Sequence, residues 1–437
     1  MGGAPADLDD AGRASLSPER LDDAVTRVLT LKERLGLFER PYVDEDAEIT
    51  EPTEESRALV RRGAASASVL LKNDGTLPLR SPRRVLLTGP YADSTDHLGA
   101  WTQYFGARAG SIADELGTRR PEVELEVVPG VEFLGGDDSG IPLVVDAARR
   151  ADVVIVCAGE PSALSGEAAS RSDLRLPGRQ EDLIRAVAAT GTPFVVVLET
   201  GRPLVVADWI DLAPTVLVAW HGGTEAPAAI VDVLLGDEDP AGRLPMSWPR
   251  SVGQIPIHYA HENTGRPASI GGRLTTEETD VGLHGPDNVQ DKFTSKYLDL
   301  ELGPQFSFGH GSGYATFAHG IPRLSRAEVV ESAIDEPVVL EIDVTNTSDR
   351  PGDEVVQVYV EDVVASVAPP VHRLVAFERR TLGAGETVVL RFEIGRTQLG
   401  FWMTDAATPA FFVEPGLFRL HVGATLASTQ AVELRVS

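Results

Sequence analysis

A single cysteine, Cys157, among 437 residues leaves no intramolecular disulfide to staple the fold. It lies in the apolar run 153–158, where a thiol acts as a small, inert hydrophobe. No stretch approaches the roughly 20 consecutive apolar residues that a membrane-spanning helix needs. Positive charge is scarce: 39 Lys and Arg stand against 66 Asp and Glu, a formal net charge of −27. That sign opposes nucleic acid and anionic membrane as partners, since both are held through basic surface. The first residues, MGGAPADLDDAGRASL, have neither a basic n-region nor an apolar h-region, so a cytoplasmic location is expected. No GxGxxG follows the first strand-like run and no Walker sequence occurs, so no nucleotide or other cofactor is expected. His258 and His261 are flanked by prolines and accompanied by no further ligand cluster, so no metal is expected either. Ser312 sits between two glycines but not at a strand-to-helix turn, which excludes a GxSxG nucleophile elbow.

What is present predicts two to three domains. Residues 1–15 are Gly/Ala/Asp-rich and expected to be disordered. Ser17-Pro18 reads as the N-cap and first residue of a helix, with Leu21, Val25, Val28, Leu29 and Leu35 at helical spacing and Gly36 as its stop. This start, with an acidic linker, occupies residues 1–50. A second helix is expected over 54–71. Strand-like runs at 85–88, 123–128, 153–158, 194–198 and 215–219 alternate with helix-length connections such as 141–150 and 180–189. Alternating β and α segments imply an α/β domain over 51–255, a mostly parallel sheet sandwiched by helices. Residues 256–321 read as an irregular linker with a Gly/Thr/Asp-rich, flexible insertion at 267–290. From 322 to 437, short runs at 338–344, 354–360, 387–392 and 417–422 are separated by turn clusters at 346–352, 383–385 and 414–416, the texture of a β-sandwich.

The stretch 152–183, DVVIVCAGEPSALSGEAASRSDLRLPGRQEDL, carries the chemistry. A buried-strand run ends at Gly159-Glu160, and the loop beyond it holds Glu160, Glu167, Arg171 and Asp173. Ligands collect where loops leave the carboxyl ends of such strands, and a carboxylic acid beside a guanidinium can transfer protons. The same composition also describes a solvated loop with surface charges. Residues 99–106, GAWTQYFG, place Trp101, Tyr104 and Phe105 within six residues. Rigid aromatic faces bind sugar rings at low ordering cost, and equally pack domain interfaces.

The pattern Gly159-Glu160, Ser165-Gly166-Glu167, Arg171, Asp173, Leu176-Pro177 and Gln180 resembles the second domain of family 3 glycoside hydrolases, of the bacterial periplasmic β-glucosidase type. Other stretches agree in family order. SVLLKNDGTLPL at 68–79 is similar to the signature opening that domain, and FSFGHGSGY at 306–314 to the family's FGYGLSYT segment, with His310 in place of tyrosine. Residues 322–437 resemble the fibronectin type III-like domain that ends many members. LDDAVTRVLTLKERLGLFERPYVD resembles the segment closing the catalytic (β/α)8 barrel, and almost nothing precedes it here.

The resemblance implies a retaining β-glucosidase or β-xylosidase acting on β-linked oligosaccharides or aryl glycosides. Its acid/base falls on Glu167, with Glu160 as competitor. Trp101, Phe105 and Arg171 would contact or frame the substrate, and Arg171 with Asp173 would hold the loop or tune the acid's pKa. Glu225 is expected to shape the fold rather than act as a second acid. The nucleophilic Asp would lie on a barrel supplied by an upstream or partner polypeptide. Asp208, in Ala-Asp-Trp on a helix-like stretch, is rejected as a substitute. Exposed loops at 99–106 and 159–176 would favour self-association. The alternative is a non-catalytic scaffold or a weak carbohydrate-binding remnant.

Overall fold

The structure, a computed structural model, describes residues 16–44, 47, 52–102, 109–262, 297–403 and 410–437. The start at 1–15 that is expected to be disordered, the insertion at 267–290 and Phe105 lie outside these. The chain forms two compact units, Met1–Ser56 and Arg57–Ser437. In the first, Ser17 caps helix α1 (Pro18–Arg34), its hydroxyl accepting from the Arg20 amide. Gly36 follows in the left-handed conformation (φ 67°), which ends the helix as its sequence anticipates. The apolar stripe is real but buries nothing: Leu21 and Val28 are each 55% exposed.

The helix expected over 54–71 stops earlier. Helix α2 covers Glu54–Ala67, and Val69–Lys72 forms an extended strand, β1. A short apolar run such as Val69-Leu70-Leu71 fits a buried strand or a helix end equally well, and tertiary pairing decides. The β1 strand closes one edge of a six-stranded sheet with β2 (Arg84–Thr88), β3 (Glu124–Val128), β4 (Val153–Gly159), β5 (Phe194–Glu199) and β6 (Thr215–Val218), in the order β1-β6-β5-β4-β2-β3. All neighbours are parallel except β1, which runs antiparallel to β6. Helices α3 (Ile112–Arg119), α4 (Ile141–Ala148) and α5 (Gln180–Ala188) connect successive strands from β2 to β5, and α6 (Ala226–Leu235) follows β6.

All seven residues of β4 are buried because helices cover both faces of the sheet. Val154, Val156 and Ala158 face α4 and α5, packing with Val144, Leu183 and Val187. Val153, Ile155 and Cys157 face the other way, toward Ile112 and Leu116 of α3 and Ile230 and Val233 of α6. Each of the Val, Leu and Ile side chains among these contributes about 1.5–3 kcal/mol through burial. Cys157 is fully buried and its thiol is pushed well up by desolvation, so it is inert as expected.

The Gly-rich segment at 306–314 is structural. Ser312 bridges Leu70 of β1, and His310 Nε2 lies 2.8 Å from the Leu71 carbonyl, so the ring donates there. Beyond it, strands β7 (Phe317–His319), β8 (Arg323–Leu324), β9 (Glu328–Val329), β10 (Val338–Asn346), β11 (Gly352–Asp362), β12 (Arg373–Leu382), β13 (Thr387–Ile394), β14 (Phe401–Met403), β15 (Ala410–Phe412), β16 (Gly416–Gly423) and β17 (Thr429–Val436) follow. They build a sandwich of one sheet ordered β13-β10-β7, with β8 also on β10, and another ordered β12-β11-β16-β17-β9; β14 and β15 pair separately. The alternation of β10, buried at every second residue, is the pattern of a strand with one face on a core. The Asp239 carboxylate accepts from the Tyr314 and Asp353 amides at 2.7 and 2.9 Å, tying the α/β region to the sandwich.

Asp362 ends β11 half-buried, one carboxylate oxygen lacking a hydrogen-bond partner among the described residues. Desolvation, reinforced by the Glu414 charge, pushes its pKa up to about 6. A folded-state value above the unfolded 3.8 means that stability from this group is complete below about pH 4 and is lost as pH rises through 6. Asp362→Asn removes that cost. In urea titrations at pH 7.5 the variant is expected to be more stable by about 1–2 kcal/mol, the gain vanishing near pH 4. A variant less stable than the parent at pH 7.5 contradicts this account.

Candidate active site

The site grows from the end of β4. Gly159 has φ 152°, and a Cβ there would meet the Glu199 carbonyl oxygen at 1.9 Å, so the position requires glycine. The fully buried Gln180 amide, first in α5, pairs both backbone groups of Gly159: the glycine amide donates to Oε1 and Nε2 donates to its carbonyl, each at 2.8 Å. This fixes where the strand stops and the loop begins.

Glu160, next in sequence, is wholly buried. Its Oε1 accepts from Arg171 at 2.5 Å. Its Oε2 accepts from the Thr200 hydroxyl at 2.8 Å and lies 3.2 Å from Arg202 Nε. Burying a carboxylate is costly, and two guanidiniums and a hydroxyl compensate it here. Arg202 also donates to the carbonyls of Leu164 and Ala169, the latter at 3.0 Å, so one side chain grips both limbs of the loop. Asp96 holds the short turn at 162–164 by accepting from the Ser162 amide (2.9 Å) and hydroxyl (2.5 Å). Arg171, expected against substrate, is turned inward: its second terminal nitrogen donates to the Arg175 carbonyl at 3.1 Å. Asp173 accepts from Arg175, whose hydrogen bonds take its pKa down to about 2.

Glu167 stands at the loop tip, exposed, with no hydrogen bond or ion pair among the described residues. The backbone beside it is unusual on both sides: Gly166 has φ 99° and Ala168 φ 60°. A left-handed alanine costs on the order of 1 kcal/mol or more and persists only where its surroundings hold it. The Trp101 indole lies against Gly166, since a Cβ there would stand 3.6 Å from its Nε1. Trp101 is 73% exposed. An open carboxylate and an open aromatic face thus occupy one patch. Phe105 falls outside the described residues. Glu225 is buried at the start of α6 and paired with Arg57 at 3.1 Å, a structural setting. Asp208 lies in a turn rather than on the expected helix.

Two features of this region were not read from the sequence. His97 and Glu199, both wholly buried, share a hydrogen bond of 2.7 Å, while His97 Nε2 lies 2.8 Å from the Ser94 carbonyl. Two acceptors facing two ring nitrogens require the pair to hold a proton beyond neutral imidazole plus carboxylate. Burial works against the charged ring, yet the Glu199 carboxylate outweighs it and raises the His97 pKa. His221 packs against Gly99, and neither of its ring nitrogens has a partner among the described residues. No spacing rule links positions 97 and 199, so sequence carried no signal for the pair.

A sequence model of the glycosyl hydrolase family 3 C-terminal domain matches residues 68–314, and one of the fibronectin type III-like domain matches 354–425. The chain belongs to glycoside hydrolase family 3. A periplasmic β-glucosidase of Salmonella typhimurium is 36% identical over 92% of this chain and 54% of its own length. A β-xylosidase of Formosa agariphila is 33% identical over 95% and 54%. The β-glucosidase of Listeria innocua, solved with isofagomine, superposes with a TM-score of 0.83 at 34% identity, covering 97% of this chain and 56% of that one; it has also been solved with glucose. The family 3 chain described here spans about half the length of the curated relatives it matches.

The Glu160 network sets the loop's anchorage. Replacing Arg171 with Met leaves the buried carboxylate with one guanidinium, and a loss of about 3 kcal/mol is expected in urea unfolding. The double variant Glu160→Gln/Arg171→Met should recover part of that loss. Equal destabilisation of single and double variants would show that the charge pair is not the cause.

Proposed function

We propose that this chain supplies the acid/base half of a retaining β-glucosidase or β-xylosidase, with Glu167 as the proton-transferring carboxylate. The observation that carries the reading is the contrast between two glutamates on one loop. Glu160 is sealed inside the domain between two arginines, whereas Glu167 stands exposed at the tip beside the open face of Trp101. A proton donor must reach the glycosidic oxygen; only the second can.

Retaining hydrolysis needs two carboxyl groups about 5–5.5 Å apart. The nucleophile comes from a barrel outside these 437 residues, carried earlier in the same polypeptide or on another. Its carboxylate attacks the anomeric carbon as Glu167 gives a proton to the departing oxygen. The carboxylate of Glu167 then takes a proton from water, which attacks the same carbon and releases the sugar. A barrel docked over the loop would exclude water and place a second carboxylate nearby, the conditions under which an acid keeps its proton near neutral pH. Trp101 forms a wall for the leaving-group sugar. Arg171 acts at one remove, as a positioning residue that anchors the loop through Glu160. A neutral sugar is indifferent to the acidic net charge, and the similarity to a β-glucosidase and a β-xylosidase supports the substrate class.

The purified chain is expected to leave an aryl β-glucoside intact, and to gain turnover when a family 3 barrel is supplied. In that complex Glu167→Gln should lower kcat by about 10²–10⁴ for substrates with poor leaving groups. The loss should be much smaller for dinitrophenyl glycosides, whose leaving group needs no proton, and azide should restore turnover by attacking the glycosyl-enzyme without base assistance. Trp101→Ala should raise KM with little change in kcat. Full activity in Glu167→Gln would overturn the assignment, and failure of the barrel to restore any turnover would favour the scaffold reading.

A further inference from the structure

We infer that Glu361, His372 and His421 form a binding site for a divalent transition-metal ion of the zinc type on the sandwich domain. The register of the strands brings them together. In the pairing of β11 with β16, Tyr359 faces His421 and Glu361 faces Arg419, so Glu361 and His421 project from the same side of the sheet. In the pairing of β11 with β12, Val360 faces Arg373, which sets the preceding His372 at the other flank of Glu361. One ligand atom from each of the three lies within 4.8 Å of the others. His421 Nε2 is 2.9 Å from Glu361 Oε2, and the two imidazole centroids are 4.9 Å apart at 73°.

Tetrahedral zinc with bonds of about 2.0–2.1 Å needs donor atoms roughly 3.3 Å apart. Small side-chain rotations close the remaining gap, with water completing the shell. Two imidazoles and one carboxylate suit zinc and its neighbours, whereas calcium and magnesium favour all-oxygen sets. The outer contacts are those of a ligand set. Arg419 donates to Glu361 Oε1 at 3.2 Å and so turns Oε2 toward His421. Arg419 also reaches Glu433 at 3.3 Å, and Arg373 donates instead to the Gln398 carbonyl at 2.6 Å, so neither arginine occupies the space between the rings. His372 makes no hydrogen bond among the described residues, leaving a ring nitrogen available. A metal here would join two strands of one sheet to the loop entering a third.

The test uses the untagged full chain, stripped with EDTA and titrated with zinc chloride by calorimetry, with thermal melts in parallel. One equivalent is expected to bind at micromolar zinc and to raise the melting temperature, because an ion held by the native state alone stabilises it. His372→Ala should weaken that binding by at least about tenfold, as should His421→Ala, with circular dichroism confirming that both variants fold. Cobalt in place of zinc should give visible absorption bands that His372→Ala abolishes. The absence of stoichiometric binding, or binding unchanged in His372→Ala, overturns the site.

Discussion

The exposed part of the candidate active site depends on a charge that is not exposed. Glu160 leaves the central strand of the sheet with its carboxylate wholly buried, and such an anion is stable only if cations come to it. Arg171 reaches it from the far limb of the loop and Arg202 from the loop after β5. The path of residues 160–171 is therefore set by where those two guanidiniums must be. Arg202 extends the same constraint to the carbonyls of Leu164 and Ala169. With both limbs held, the tip closes through left-handed backbone at Gly166 and Ala168, and Glu167 is directed outward. Fixed geometry at a loop tip is what proton transfer requires, because a misplaced acid loses rate steeply.

Much of this was legible in the chain's residues, and what escaped did so for identifiable reasons. The runs at β2, β4, β5 and β6 are legible because a doubly covered parallel strand is hydrophobic throughout, whereas the border strand β3 alternates Glu124 and Glu126 with apolar residues. In sequence the first strand reads as a helix end, since Val69-Leu70-Leu71 is too short to show a period. In the sandwich, β12 passed unnoticed because its outward residues, among them Glu378, Arg379 and Arg380, give it a polar texture. At the site, Glu160 and Glu167 were both visible as loop carboxylates. What separates them is a contact from Arg202, some 40 positions away in sequence. His97 with Glu199, and Glu361 with His372 and His421, are groupings made by strand register and by the loops that carry His97 and His372. Local spacing holds no trace of them.

The sandwich is joined to the α/β region by directional polar contacts as well as by the packing of Tyr359 against Phe308 and Tyr259. Asp239 accepts from backbone amides on both sides, Glu354 lies near both Arg243 (3.4 Å) and His319 (3.2 Å), and the Gln357 amide donates to the Gly309 carbonyl at 3.0 Å. Directional bonds of this kind set orientation more sharply than apolar contact does. The domain that carries Glu167 and the domain that follows it are thereby held in one arrangement.

The two borders of the six-stranded sheet are finished differently. Along β1 the chain itself returns at Ser312 and covers the outer side. Along β3 the border carries Glu124 and Glu126, with Arg150 reaching across to the latter at 2.9 Å. An unguarded β border invites a stranger's backbone to add itself on, the first step toward fibrils. Here any second molecule arriving in the same register would bring its own row of glutamates against this one, and like charges meeting edge to edge would push it away.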